Sequence, residues 1–241
     1  MKRLLLAMMV LGSAYALSAQ SEAPKEKPPF QPAETLSVTE IPLPILCAVA
    51  DGFVVLDALI TETGEVQKVE VRRDFACLTP LAVQAVEEWK FSPATMAGKA
   101  IASRMPVAVT FRPPSMYAAP VTLPELKPQT DAAIQAEFQP AEVMHAAFPE
   151  YGATAVAVGT VVLEVTLSAK GEAKEVKVLR DLPLLTEEAK AVVGEWRFMP
   201  AAFNGNPVQS KIVLAFVSSP LVYTSSMSHG SSRNCRHARG R

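Results

Sequence analysis

Apolar and polar positions along this chain fall into one pattern that is written twice. In the first copy, Phe53 to Ile60 is an apolar, β-rich run. Thr63-Gly64 follows as a turn, where glycine can take a positive φ. Val66 to Val71 then alternates apolar and polar over its second half, as a half-exposed strand does. The pair predicts a hairpin. Asp74 to Leu78 reads as a loop. Thr79-Pro80 reads as a helix start, with the threonine as N-cap and the proline as first helical residue. Leu81, Ala82, Ala85, Val86 and Trp89 share one face at helical spacing. Pro93 ends the helical stretch. Arg104 to Phe111 is a third predicted strand.

The second copy keeps one constant register. Gly52 maps to Gly159, Val54-Val55-Leu56 to Val161-Val162-Leu163, and Gly64-Glu65 to Gly171-Glu172. Val69 and Val71 map to Val176 and Val178, Arg73-Asp74 to Arg180-Asp181, and Leu78-Thr79 to Leu185-Thr186. The run around the chain's only two tryptophans is the clearest. Trp89, Phe91 and Pro93 return as Trp196, Phe198 and Pro200. No gap is needed from Gly52 to Arg104, and about two in five positions are identical, which identifies a tandem duplication. The matched positions are apolar faces, turn glycines and stops, so these six residues are expected to serve the fold. Each unit reads as strand–strand–helix–strand. The fold class is α+β, an antiparallel sheet packed on a helix.

Outside the two units the patterning fades. Residues 1–19 read as a signal peptide. Lys2-Arg3 forms the positive end, Leu4 to Leu11 the apolar run, and small residues follow at Ala14 to Ala19. Retention of that segment as an inner-membrane anchor is the alternative. Residues 20–44 are Pro-, Lys- and Glu-rich and read as an extended linker. Residues 45–113 form the first domain. A Pro-rich linker occupies 114–130. Residues 131–218 form the second domain, opened by two short predicted helices, Asp131 to Phe138 and Ala141 to Phe148, split by Pro140. Residues 219–241 read as a disordered tail.

Composition narrows the chemistry. Of 241 residues, 49% are hydrophobic and the net charge is -1, so there is core material and no basic stripe for nucleic acid. His145, His229 and His237 stand at no metal-ligand spacing. Neither a Gly-x-Ser-x-Gly elbow nor a phosphate-binding glycine loop occurs. No catalytic residue, metal or cofactor is expected. Export makes disulfides available to Cys47, Cys77 and Cys235. Cys47 and Cys77 both belong to the first unit, and a structural disulfide between them is the preferred reading. Two buried free thiols are the alternative, and the spacing is not that of a redox Cys-x-x-Cys pair.

The residues also carry a resemblance. Phe148-Pro149-Glu150-Tyr151, Gly159 to Val165, Gly171-Glu172, Val176 to Leu179, Ala189 to Val193 and Trp196-Arg197-Phe198-Met199-Pro200-Ala201 resemble the TonB C-terminal domain. The first unit is similar and more diverged. Some members of that family carry a cysteine pair at the places of Cys47 and Cys77. The resemblance implies a periplasmic binding domain and no enzyme. In that family the last strand lies at a sheet edge and pairs with an extended peptide of an outer-membrane transporter. An N-terminal membrane helix couples the protein to a proton-driven motor. Carried over, the expected peptide-binding edge is Ser210, Lys211, Ile212, Val213, Leu214, Ala215 and Phe216, with Ser103 to Phe111 as a second candidate. The expected partner is a transporter peptide or another envelope protein. A non-energised adaptor that reuses the fold is the competing reading. Whether the edges are free or taken up in a homodimer is not decided by sequence.

Overall fold

The structure, a computed structural model, describes residues 30–42, 52–111, 138–149, 157–183 and 185–218. The expected signal peptide, the whole linker 114–130, the first expected helix Asp131 to Phe138 except its last residue, the tail, Cys47 and Cys235 lie outside these residues.

Both hairpins form. Strand β3 (Gly52–Ile60) pairs antiparallel with β4 (Val66–Arg73), and β11 (Gly159–Leu167) with β12 (Ala173–Arg180). Helix α1 (Thr79–Glu87) packs on β3 and β4, and α2 (Thr186–Val192) on β11, with a 3-10 turn Val193–Glu195 continuing it. Short strands follow each helix, β5 (Lys90–Ser92), β6 (Ala94–Met96) and β7 (Lys99–Ile101) in the first unit and β13 (Arg197–Met199), β14 (Ala202–Phe203) and β15 (Asn206–Pro207) in the second, and the third strands are β8 (Ser103–Phe111) and β16 (Ser210–Ser218).

The threonines at the helix starts do a different job from the one expected. The N-caps are Leu78 and Leu185, and neither makes a side-chain cap. Thr79 Oγ1 instead accepts from the Phe75 N–H at 2.9 Å, and Thr186 Oγ1 from that of Leu182 at 3.0 Å. Each hydroxyl ties down the loop before its helix. Pro80 does sit in the first turn, where its missing N–H is not needed.

The two units share one sheet. Its order is β12-β11-β16-β8-β3-β4, and the central pair, β16 and β8, is parallel. A mirrored order with a parallel centre requires an approximate twofold axis along the strands. The two helices therefore lie on opposite faces. All nine residues of β3, β8 and β11 are buried, so both faces of the centre are covered. Such strands read as continuous apolar runs, which is how Phe53 to Ile60 and Gly159 to Val165 appear in sequence.

What covers the second face of each unit overturns two expectations. Residues 30–42, read as linker, carry strands β1 (Phe30–Gln31) and β2 (Glu34–Ser37). Residues 138–148, read as helical, carry β9 (Phe138–Gln139) and β10 (Glu142–His145). These two arms begin with the same pentapeptide, Phe30-Gln31-Pro32-Ala33-Glu34 and Phe138-Gln139-Pro140-Ala141-Glu142, one residue off the register of the rest of the repeat. Each arm pairs with the strand after its own unit's helix. β2 joins β5 (Lys90–Ser92), and β10 joins β13 (Arg197–Met199). Each arm then crosses to the other unit. The Thr35 N–H donates to Glu164 Oε2 at 2.6 Å, and Thr160 Oγ1 donates to the Ile41 carbonyl at 3.1 Å. In the opposite direction, Arg72 of β4 meets Glu142 at 3.4 Å, and Phe148 lies edge-on to Phe53. The prolines that argued for a linker and for split helices are compatible with short strands that pair on one side only.

The tryptophans hold the layers together. Trp89 is 1% exposed and Trp196 3%. Each removes roughly 200 Å² from water, about 5 kcal/mol on transfer scales. Trp196 stacks on Phe198, meets Phe216 and Phe53 edge-on, and donates its Nε1–H to the Ala147 carbonyl at 2.9 Å. Phe91 and Phe198 are buried beside them, while Pro93 and Pro200 are partly exposed where the chain leaves β5 and β13.

Candidate functional site

The edge expected at Ser210 to Phe216 is not an edge. That strand pairs with β11 along its whole length, from Gly159↔Ser218 to Leu167↔Ser210. On its other side Val213 to Val217 pair with Val107 to Phe111 of β8. Ser103 to Phe111 is likewise flanked by β3 and β16. The two candidate edges occupy each other. Duplication within one chain gives each unit the other's last strand at very high effective concentration, and the two close each other over Val107–Phe111 and Val213–Val217.

The outer margins of the sheet are β4 and β12. They differ in cover. On β4, Glu70, Arg72 and Arg73 are buried. Arg72 Nε lies 3.5 Å from Asp57 Oδ2, and Arg104 Nη1 lies 2.7 Å from Glu70 Oε2 and 3.7 Å from Asp57 Oδ2. Burial pushes the Asp57 carboxyl up to about 6 against the pull of Arg72 and Arg104. Burial also works against the Glu70 carboxylate, but hydrogen bonds from Arg104 and Lys68 outweigh it and bring it down to about 2. A bulge between Val55 and Leu56 puts Arg73 beside Arg72, and its guanidinium lies 4.6 Å from the Phe53 ring centroid. Burial brings Arg73 down to about 10.

On β12 the same positions are open. Ala173 to Glu175, Lys177 and Val178 are exposed, and Val178 is one of five large apolar side chains that stand exposed among the described residues. Lys177 and Leu179 stand where the first unit has Glu70 and Arg72, so the ion pairs those two residues make have no counterpart on β12. The buried acid of this half, Glu164, is met instead by Lys211, which lies 2.9 Å from it and 2.6 Å from Glu34 of the first arm. Burial disfavours its charge, and the two carboxylates more than restore it, holding its pKa above the usual lysine value. Beside this bridge, Phe30, Pro32, Pro93 and Gln209 line a cleft of about 540 Å³.

The remaining expected residues are placed as follows. Cys77 is exposed with a free thiol. Its expected partner Cys47 lies outside the described residues. Among the described residues no three His, Cys, Asp or Glu side chains cluster as metal ligands, and no helix is long and apolar enough to cross a membrane. The arms and the ion clusters were missed by sequence reasoning. The repeated Phe-Gln-Pro-Ala-Glu pentapeptide was the signal available for the arms. Asp57 and Glu164, each an acid inside an apolar strand at the same register, was the signal for the clusters.

No curated protein and no solved structure matches the chain. The family model described as the Gram-negative bacterial TonB protein C-terminal matches residues 47–113 and 144–217, one segment over each unit and together more than half of the chain. That family is one of energy transduction and protein interaction in the cell envelope, associated with transport. With both matched segments folded as hairpin, helix and third strand, the chain belongs to the TonB C-terminal family and carries two tandem copies of its domain.

Proposed function

We propose that this is a periplasmic TonB-like binding module that receives an extended peptide by strand addition at β12. A sheet margin offers unpaired N–H and C=O groups, and a visiting chain can satisfy them. One observation carries the location: the last strands of the two units pair with each other, while Ala173–Arg180 pairs only with β11 and is exposed over most of its length. The partner is a periplasmic segment of an outer-membrane TonB-dependent transporter or of another envelope protein. The test is disulfide trapping in a Cys→Ser background. A synthetic peptide spanning a transporter's periplasmic N-terminal segment, carrying one cysteine, should cross-link to Val178→Cys and not to Val213→Cys. Cross-linking at Val213→Cys alone would mean that the central pair opens and that β12 is not the receiving edge.

A second reading, a non-energised adaptor, is favoured by the docking of the first arm. Residues 30–42 belong to the fold, so only Gly12 to Pro29 separate the apolar N-terminal run from it. Fully extended, those residues span about 60 Å. That is a short tether for a protein that must pull across an envelope. N-terminal sequencing of the exported protein separates the readings: a retained Met1 favours transduction, and a start near Leu17 or Gln20 favours the adaptor.

A further inference from the structure

Met144 and Met199 are two of the five large apolar side chains that stand exposed among the described residues, at 57% and 47%. They lie on the two strands of one ribbon, β10 with β13. The register pairs Glu142 with Met199, Val143 with Phe198 and His145 with Arg197, with a bulge at Met144. Val143 and Phe198 are buried and define the inner side of the ribbon. Met144, His145 and Met199 are exposed on the outer side. The bulge keeps Met144 and His145 on the same side, because the extra residue interrupts the alternation of the strand. Met199 is then the diagonal neighbour of both. Diagonal neighbours stand roughly 7–8 Å apart, with their Cβ atoms somewhat closer, a span that two flexible thioethers and an imidazole can close onto one point.

The cation on that face is turned away. Arg197 Nη1 donates to the Gly194 carbonyl at 3.0 Å and to the Trp196 carbonyl at 2.9 Å, which draws the guanidinium back over the 3-10 turn. The pseudo-equivalent ribbon of the other unit, β2 with β5, has the same bulge and none of these ligands. Leu36, Ser37 and Ser92 stand in place of Met144, His145 and Met199. The three donors therefore belong to one unit and are not needed by the fold.

We propose that Met144, Met199 and His145 form a surface site for one Cu(I) ion. Two thioether sulfurs and one imidazole nitrogen are a soft donor set, which selects Cu(I) over Zn(II), Mg(II) or Ca(II). The sequence carries no spacing signal for such a site, because Met144 and Met199 are 55 residues apart and come together only when β10 pairs with β13. The site leaves the β12 margin untouched, so it stands independently of the peptide-binding reading.

The experiment is Cu(I) titration of the full chain under anaerobic, reducing conditions against a colorimetric Cu(I) chelator. Cys47, Cys77 and Cys235 are replaced by serine, since thiols would outcompete thioethers. One ion per chain should bind, and Zn(II) should not compete. Met144→Leu, Met199→Leu and His145→Gln should each weaken binding at least about tenfold, since loss of a ligand costs no less than loss of its outer-shell partner. All three positions are exposed, so the variants should melt like the parent. Absence of Cu(I) binding, or binding unchanged in the two Met→Leu variants, would overturn the assignment.

Discussion

The rings of Phe30 and Phe138 stack with centroids 5.3 Å apart and planes at 28°. They open the two copies of one pentapeptide, so the two arms of the molecule meet at their own first residues, and Phe203 stacks on Phe30 from another side at 5.8 Å. This contact closes the arms over the shared sheet. Phe30→Ala and Phe138→Ala should each cost about 3–4 kcal/mol. Because the rings touch, the double variant should cost less than the sum of the singles, by about 1 kcal/mol. Urea unfolding of the three variants checks this. Strict additivity would mean that the arms dock independently.

The parallel pairing of β8 with β16 places its most protected amides at the centre of the molecule. Val107 to Phe111 and Val213 to Val217 pair across the seam and are buried. Their exchange should require global opening, whereas β12, paired on one side and exposed, should exchange through local fraying. Hydrogen-exchange mass spectrometry should find peptides over 107–111 and 213–217 the slowest and those over 173–180 the fastest among the long strands. If the seam exchanged as fast as β12, the two halves would separate in solution. The edge expected at Ser210 to Phe216 would then become available after all.

Glycine at the hairpin turns is required twice over. Gly171 has φ +81, and a Cβ there would lie 2.3 Å from the Phe198 carbonyl oxygen. Gly64 repeats this at φ +86 against the Phe91 carbonyl. The turn is wedged under the strand that follows the helix, which is why Trp-x-Phe-x-Pro and the turn glycine recur together. Gly171→Ala should destabilise by about 2–4 kcal/mol, from backbone strain plus displacement of β13. Gly205 also has a positive φ, +76, but open space around it. Gly205→Ala should cost only about 1–2 kcal/mol. Thermal melts of the pair separate the steric cost from the conformational one.

These elements also mark what the sequence could carry. Hairpin, helix and third strand were readable because each is a local pattern: alternation from Val69 to Val71, helical spacing from Leu81 to Trp89, and Pro stops at Pro93 and Pro200. The arms were not, because two- and four-residue strands such as Phe30–Gln31 and Glu34–Ser37 are too short for periodicity to show, and their prolines mimic a linker. The availability of Ser210 to Phe216 was unreadable for another reason. A strand's hydrophobic pattern states that its faces are buried, as those of β16 are, and says nothing about whether its main-chain edges are paired.

Acid dependence should expose the buried cluster under the second arm. Asp57 is faced by Arg72 and Arg104, by Glu70 on the paired strand with Lys68 beyond it, and by Glu142 of the arm. Its folded pKa, about 6, lies above the ordinary value of 3.8, so between those values the folded protein binds more protons than the unfolded chain. Stability from this group is therefore greatest below about 4 and falls as pH rises toward 6. Glu70 has the opposite sign. Its folded value of about 2 lies below 4.5, so its contribution is present above 4.5 and lost as pH falls toward 2. Together the two groups place their combined maximum near pH 4, where the two windows overlap. Asp57→Asn should remove the decline between about pH 4 and 6 while leaving the loss below 4.5, and Glu70→Gln should do the reverse. Melting temperatures from pH 3 to 8 for the parent and both variants read this directly. A parent curve that rises steadily from pH 4 to 7 would show that Asp57 is ionised throughout and that Arg72 and Arg104 outweigh its burial.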